Sequence, residues 1–179
     1  MYDTTLKISK LDAAKRQLET AVRLYFHDGD PVSIHTLVAA AYNVLRDYNT
    51  NIGGEPMLMK EALLEHVRPE MRQEFTRIMQ RAENFFKHAN RDHDETLDFG
   101  PEQSELLLWE ACTKYWQLTS EHPPLLAIFR GWFMATHSHL FDLPEEFRRI
   151  FAKAAGVTEQ GRAAYFKLML PLMMQQGFG

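Results

Sequence analysis

PEMRQEFTRIMQRAENFFKHA, residues 69–89, is the stretch whose periodicity decides the fold class. Its apolar side chains, Met71, Phe75, Ile78, Met79, Ala82, Phe85, Phe86 and Ala89, fall within about half a turn of a helical wheel, the spacing of an amphipathic α-helix rather than a strand. Pro69 opens it, where the missing N–H costs nothing because a first-turn donor has no intrahelical partner.

Working outward, the same punctuation recurs. Pro31, Pro56, Pro101, Pro123/Pro124 and Pro144 each precede a periodic apolar stretch, and only Pro171 falls inside one. A first helix is expected from Ser9, as cap, to about His27, and a second from Asp30-Pro31 through Tyr48. Asn49 to Gly54 reads as a turn-rich loop, and Pro56 to Val67 as a short helix. Beyond the acid-rich segment Asn90 to Gly100, helices are expected over Pro101 to Leu118, Pro124 to Leu140, Pro144 to Ala155 (stopped by Gly156) and Thr158 to Gln176, the last kinked or ended at Pro171. The helix after Pro124 is apolar nearly all round, as a helix at the centre of a bundle is. No alternating strand, repeat or low-complexity segment is found, so the fold class is all-α: one domain over 1–179, a bundle of about six to eight helices with an up-and-down-like core and additional C-terminal helices.

Composition bounds the function. Of 179 residues 45% are hydrophobic and 25% charged, which is globular usage, and the net charge of −4 disfavours a dedicated double-stranded DNA binder. Cys112 is the lone cysteine, so no internal disulfide and no cysteine-based zinc site can form. Met1 to Lys10 is too polar for a signal peptide, and no window has the roughly 18 uninterrupted apolar residues of a membrane span, so the chain reads as cytoplasmic with no membrane partner.

On the 69–89 helix, Arg77, Arg81, Asn84, His88 and Arg91 are spaced by four, three, four and three, forming one longitudinal stripe without an acid. Such a stripe is either the solvated face opposite the apolar one or an anion site, since guanidinium groups bind phosphate bidentately and imidazole trades protons near neutral pH.

Glu83-Asn84-Phe85-Phe86-Lys87-His88, on a helix preceded by two long ones, resembles the Arg-Asn-x-x-x-His signature of the HEPN superfamily of small α-helical proteins, many of them metal-independent ribonucleases. It is also similar to a group of uncharacterised bacterial proteins with an Asn-Phe-Phe-Lys-His core. Leu11 to Tyr25, Asp30-Pro31 and Ala39-Ala40-Ala41 resemble the first two helices of that family, so the likeness covers about 8–118 as a core, with 119–179 as an extension packed on it. Where the signature has arginine this chain has Glu83; Arg81, seven residues before His88, would substitute, on the same side of the helix. The resemblance implies a homodimer binding RNA or a nucleotide without cofactor or metal. Arg81, helped by Arg77, would hold the phosphate, His88 would act as general acid or base and Asn84 would orient them, with Arg91 a further nucleic-acid contact. The rival expectation is a non-enzymatic bundle that binds a protein or a small apolar ligand.

Other constellations have plainer readings. His88, Asp92, His93 and Asp94 are metal-capable but stand in ordinary turn chemistry. Thr136, His137, Ser138 and His139 end the apolar helix, with a capping or satisfied core histidine set against a ligand-binding one near Trp116 or Trp132. Tyr42, Asn43 and Trp109 are candidates for lining an apolar pocket. Cys112 sits mid-helix as a packed thiol. The apolar C-terminal helix, Tyr165 to Met174, reads as core or as a dimer surface. Nucleophile-elbow, Walker, dinucleotide-binding, zincin and helical di-iron signatures are absent.

Overall fold

The computed structural model describes residues 5–90, 93–142 and 144–175, and the side chains of these except 150–155. Among the described residues there is no strand, and the protein is an all-α bundle, as expected. Its helices are α1 (Lys10–Phe26), α2 (Pro31–Asn51), α3 (Leu63–Glu65), α4 (Arg72–Lys87), α5 (Glu102–Thr119), α6 (Pro124–Thr136), α7 (Glu145–Thr158) and α8 (Arg162–Gln175). A π-helical turn, Leu58–Ala62, runs into α3, and single 3-10 turns precede α4 and follow α6.

The caps are those the sequence announces. The Ser9 hydroxyl accepts from the Asp12 amide at 3.0 Å, while Asp12 reaches back to the Ser9 amide at 3.2 Å, a reciprocal capping box. Asp30 caps α2 by accepting from the Ser33 amide at 2.8 Å, with Pro31 in the first turn. The hydroxyl and amide of each serine hold their aspartate below the usual carboxylate range.

Several boundaries differ from expectation, among them the end of α6, which falls at Thr136 rather than near Leu140. α2 continues through Asn49 to Asn51, because Asn49, almost fully enclosed, donates to the Glu55 carbonyl at 2.8 Å and so fixes the turn from inside the helix. α7 passes through Gly156, which costs a helix only about 1 kcal/mol, and the chain turns instead at Gly161, whose φ of +92° suits glycine. Thr158 therefore ends α7 rather than opening α8. α8 continues across Pro171, which lies on its exposed side, where water can take the carbonyl that proline leaves unpaired.

One apolar cluster joins α1, α2, α5, α6 and α8. α6 is central as expected, with Leu125, Leu126, Ile128, Phe129, Trp132 and Phe133 all buried. Around Phe129 and Phe26 the rings of Tyr25, Trp132, Tyr165 and Phe166 meet edge-on or stacked at 4.9–6.2 Å. Each fully enclosed side chain of this size contributes about 1.5–3 kcal/mol relative to an exposed one. α4 is the exception: its apolar stripe is covered only in part, with Ala82 enclosed, Phe75, Met79, Phe85 and Phe86 half-buried, and Met71 and Ile78 exposed. No helix among the described residues is long and apolar enough to cross a membrane.

Candidate functional site

The stripe on α4 lies on the side away from the bundle. Arg77, Arg81, Asn84 and His88 are exposed, and Arg91 lies outside the described residues. Arg77 is held by Glu74, one turn earlier, in a bidentate pair with contacts of 2.6 and 2.9 Å. That pair spends one of the guanidinium groups and places an acid beside the stripe, which the spacing of the basic residues alone had concealed. Among the described residues Arg81 and His88 have no carboxylate partner.

Glu83 carries out different work from the arginine of the signature. It points inward, about 8% exposed, and its carboxylate accepts from Lys60 and Lys87 at 2.6 Å each and from the Asn43 amide. Burial pushes the carboxyl up, but the two ammonium groups outweigh it and hold it at about 2. Lys60 is itself drawn below the ordinary lysine value by burial, against the pull of Glu83. The network continues through the Lys60 amide to the Tyr42 hydroxyl at 3.3 Å, and from that hydroxyl to Glu110 at 2.9 Å. Glu110 also accepts the Leu58 and Met59 amides, so it caps the π-helical turn from the side of α5. Tyr42 and Asn43 are thus engaged in structural bonds across α2, the π-helical turn, α4 and α5.

The remaining sequence candidates are engaged by neighbouring groups of the chain. His137 caps α6, stacks on Phe133 at 4.4 Å between ring centres, rests 2.9 Å from the Thr136 hydroxyl and lies 4.0 Å from the Glu105 carboxylate on α5. His93 and Asp94 pair with each other at 3.0 Å in the open, and Asp92 lies outside the described residues. Cys112 is fully enclosed and burial pushes its thiol up, away from nucleophilic use. Of the C-terminal helix, Tyr165 and Phe166 join the core, while Leu168, Leu172 and Met174 remain exposed.

Trp109 does line a cleft. A trough of about 490 Å³ lies over one side of α5 and α6, with Trp109 and Thr113 from α5 and Ala127, Arg130, Gly131 and Met134 from α6. Pro144 and Phe147, at the start of α7, close one edge. A smaller hollow of about 260 Å³, lined by Pro56, Met57, Leu58 and Lys114, shares Trp109 and Thr113 with it. The geometry follows from helix period: residues 127, 130, 131 and 134 repeat at one turn on α6, as do 109 and 113 on α5. Trp109 is held by stacking on Phe133 at 5.3 Å and by Phe141 at 5.2 Å.

Two further hollows carry polar groups already paired to one another. In one, of about 550 Å³, Lys15 meets Glu121 at 3.5 Å, and Glu121 also accepts the Tyr115 hydroxyl. In another, of about 330 Å³, Arg162 binds Asp28 and lies over the Tyr25 ring, whose hydroxyl accepts from Trp132 at 3.0 Å. The trough over Trp109 differs. Its cation, Arg130, is half-buried and has no carboxylate partner among the described residues; its guanidinium stacks at 4.6 Å on the Trp116 ring. Arg130, Thr113, Gly131, Met134 and Phe147 were not singled out by sequence reasoning. The signal was present, because Arg130 is the one charged residue in the helix PLLAIFRGWFMAT.

No protein-family model, curated protein or solved structure matches this chain.

Proposed function

We propose that this protein is a non-enzymatic helical bundle that binds a small, largely apolar ligand in the trough between α5 and α6. The observation that carries the reading is the trough itself. Its volume falls in the range of small-molecule sites, and it pairs an apolar lining with a few polar groups, as such sites do. Its walls come from helices anchored in the core, so the site is largely preformed and its ordering cost is low. Titration with the neutral probe N-phenyl-1-naphthylamine tests this. The wild-type protein is expected to bind it and enhance its emission, and Ala127→Phe, which fills the trough, is expected to remove that binding while leaving the melting temperature within a few degrees. Binding that persists in Ala127→Phe would place the probe elsewhere and overturn the reading.

A second reading keeps the HEPN-like resemblance: α4 binds RNA or a nucleotide, as a homodimer and with ribonuclease activity. What favours it is the exposed line of Arg81, Asn84 and His88, two of them ionisable and neither of those paired to a described carboxylate. RNA cleavage that His88→Ala abolishes without loss of stability supports it. Negligible RNA binding at low salt, where phosphate contacts are strongest, removes it.

A further inference from the structure

We infer that the occupant of the trough is a small monocarboxylate with an apolar body, its carboxylate on Arg130 and Thr113 and its body against Trp109, Met134 and Phe147. This rests on the ligand-binding reading above and adds the chemistry of the head group.

Two separate observations point to an anion. First, Arg130 is a half-buried guanidinium on an otherwise apolar helix, and it lies 4.6 Å over the Trp116 ring with no carboxylate partner among the described residues. A half-buried guanidinium with no such partner among the described residues is free to take an acceptor, and its planar fork matches a carboxylate through two parallel hydrogen bonds. Burial also draws Arg130 down from the usual arginine value, in keeping with a cation that lacks its counter-charge. Second, the Thr113 Oγ1 is buried with no hydrogen-bond partner. A threonine in a helix has two accessible χ1 states, so rotation about one bond can turn this hydroxyl toward the trough when an acceptor arrives there.

The charge count selects among anions. Among the described residues Arg130 is the only cation lining the larger hollow, and Lys114, in the adjoining one, already donates to the Glu55 carbonyl at 3.2 Å. One cation balances one carboxylate and leaves a dianionic phosphate half-compensated. The rest of the described lining is the thioether of Met134, the rings of Trp109 and Phe147, Thr113 and small aliphatic groups, which suits a hydrocarbon or aryl tail.

Calorimetric titration of the full chain with octanoate, octanol and octyl phosphate tests the head group. Octanoate is expected to bind at least about tenfold more tightly than octanol, as a single charge-assisted contact provides, and more tightly than octyl phosphate. Arg130→Gln should bring octanoate down to the level of octanol and leave octanol unchanged. Thr113→Val should weaken octanoate in the same direction by less, and it carries the test should Arg130→Gln not fold. Octanol binding as tightly as octanoate, or octanoate binding unaffected by both variants, overturns the carboxylate inference while the trough remains a ligand site. Tighter binding of octyl phosphate also overturns it. Failure of all three compounds to bind removes the ligand-binding reading itself.

Discussion

The Lys60 ammonium donates to the Glu83 carboxylate at 2.6 Å, and both side chains are nearly sealed from water, with about 4% and 9% of their surfaces exposed. This pair fastens α4, whose apolar face is only partly covered, to the π-helical turn and through it to Glu110 on α5. Taking one charge away strands the other, so Glu83→Ala is expected to cost about 3–5 kcal/mol in urea unfolding. Replacing both members, Lys60→Met with Glu83→Met, should recover most of that loss, because an apolar pair carries no desolvation penalty. A double variant no more stable than Glu83→Ala would show that the loss does not come from a stranded Lys60 charge.

The same carboxylate sets an acid limit. Its folded value of about 2 lies below the ordinary 4.5, so its contribution is fully present above about pH 4.5 and is lost as pH falls toward 2. His35 adds an earlier step. It is enclosed, with Nδ1 3.0 Å from the Ser104 hydroxyl, and burial lowers its value below the ordinary 6.5. The unfolded chain therefore takes up a proton first, and stability declines as pH drops below about 6.5. Unfolding free energy measured against pH should show both declines, with His35→Phe flattening the upper one and Glu83→Gln the lower, while loss of the Glu83 charge draws His35 lower still.

Gly131 lets α8 approach α6. A Cβ there would stand 2.9 Å from the Tyr165 hydroxyl, on a ring held against Trp132 at 5.2 Å and Phe26 at 6.2 Å. Alanine gains about 1 kcal/mol of helix propensity, but overpacking a wedged ring costs about 1–3 kcal/mol, so Gly131→Ala should lower the melting temperature. Gly131→Ala combined with Tyr165→Phe, which removes the clashing oxygen, should recover part of the loss.

Arg81→Ala and His88→Ala, on the exposed face of α4, should each change unfolding free energy by no more than about 0.5 kcal/mol. Any larger effect on RNA binding or cleavage would then report function rather than folding, which is what makes these two variants informative for the second reading.

Residues 69–89 and the prolines were enough to read the fold class, because helix periodicity and first-turn proline are local properties. The places where sequence reading fell short depend on other parts of the chain. Asn49 extends α2 through a bond to Glu55, and Gly156 stays helical because the left-handed turn lies further on, at Gly161. Glu83 looked like a departure from a signature, yet its role is fixed by Lys60, 23 residues away. The pairing of Arg77 with Glu74, by contrast, was available from i, i+3 spacing. The trough needs three helices brought together, so of its lining only Trp109 was anticipated, while the solitary arginine of α6 was the unread clue.

The central claim, that the trough over Trp109 holds the ligand, is tested most directly by methyl NMR of the protein with 13C-labelled methionine methyls. On addition of octanoate, the Met134 methyl should shift in a saturable way, while those of Met71 and Met174, exposed on other helices, stay fixed. Saturable shifts at Met71 or Met174 with Met134 unmoved would contradict it.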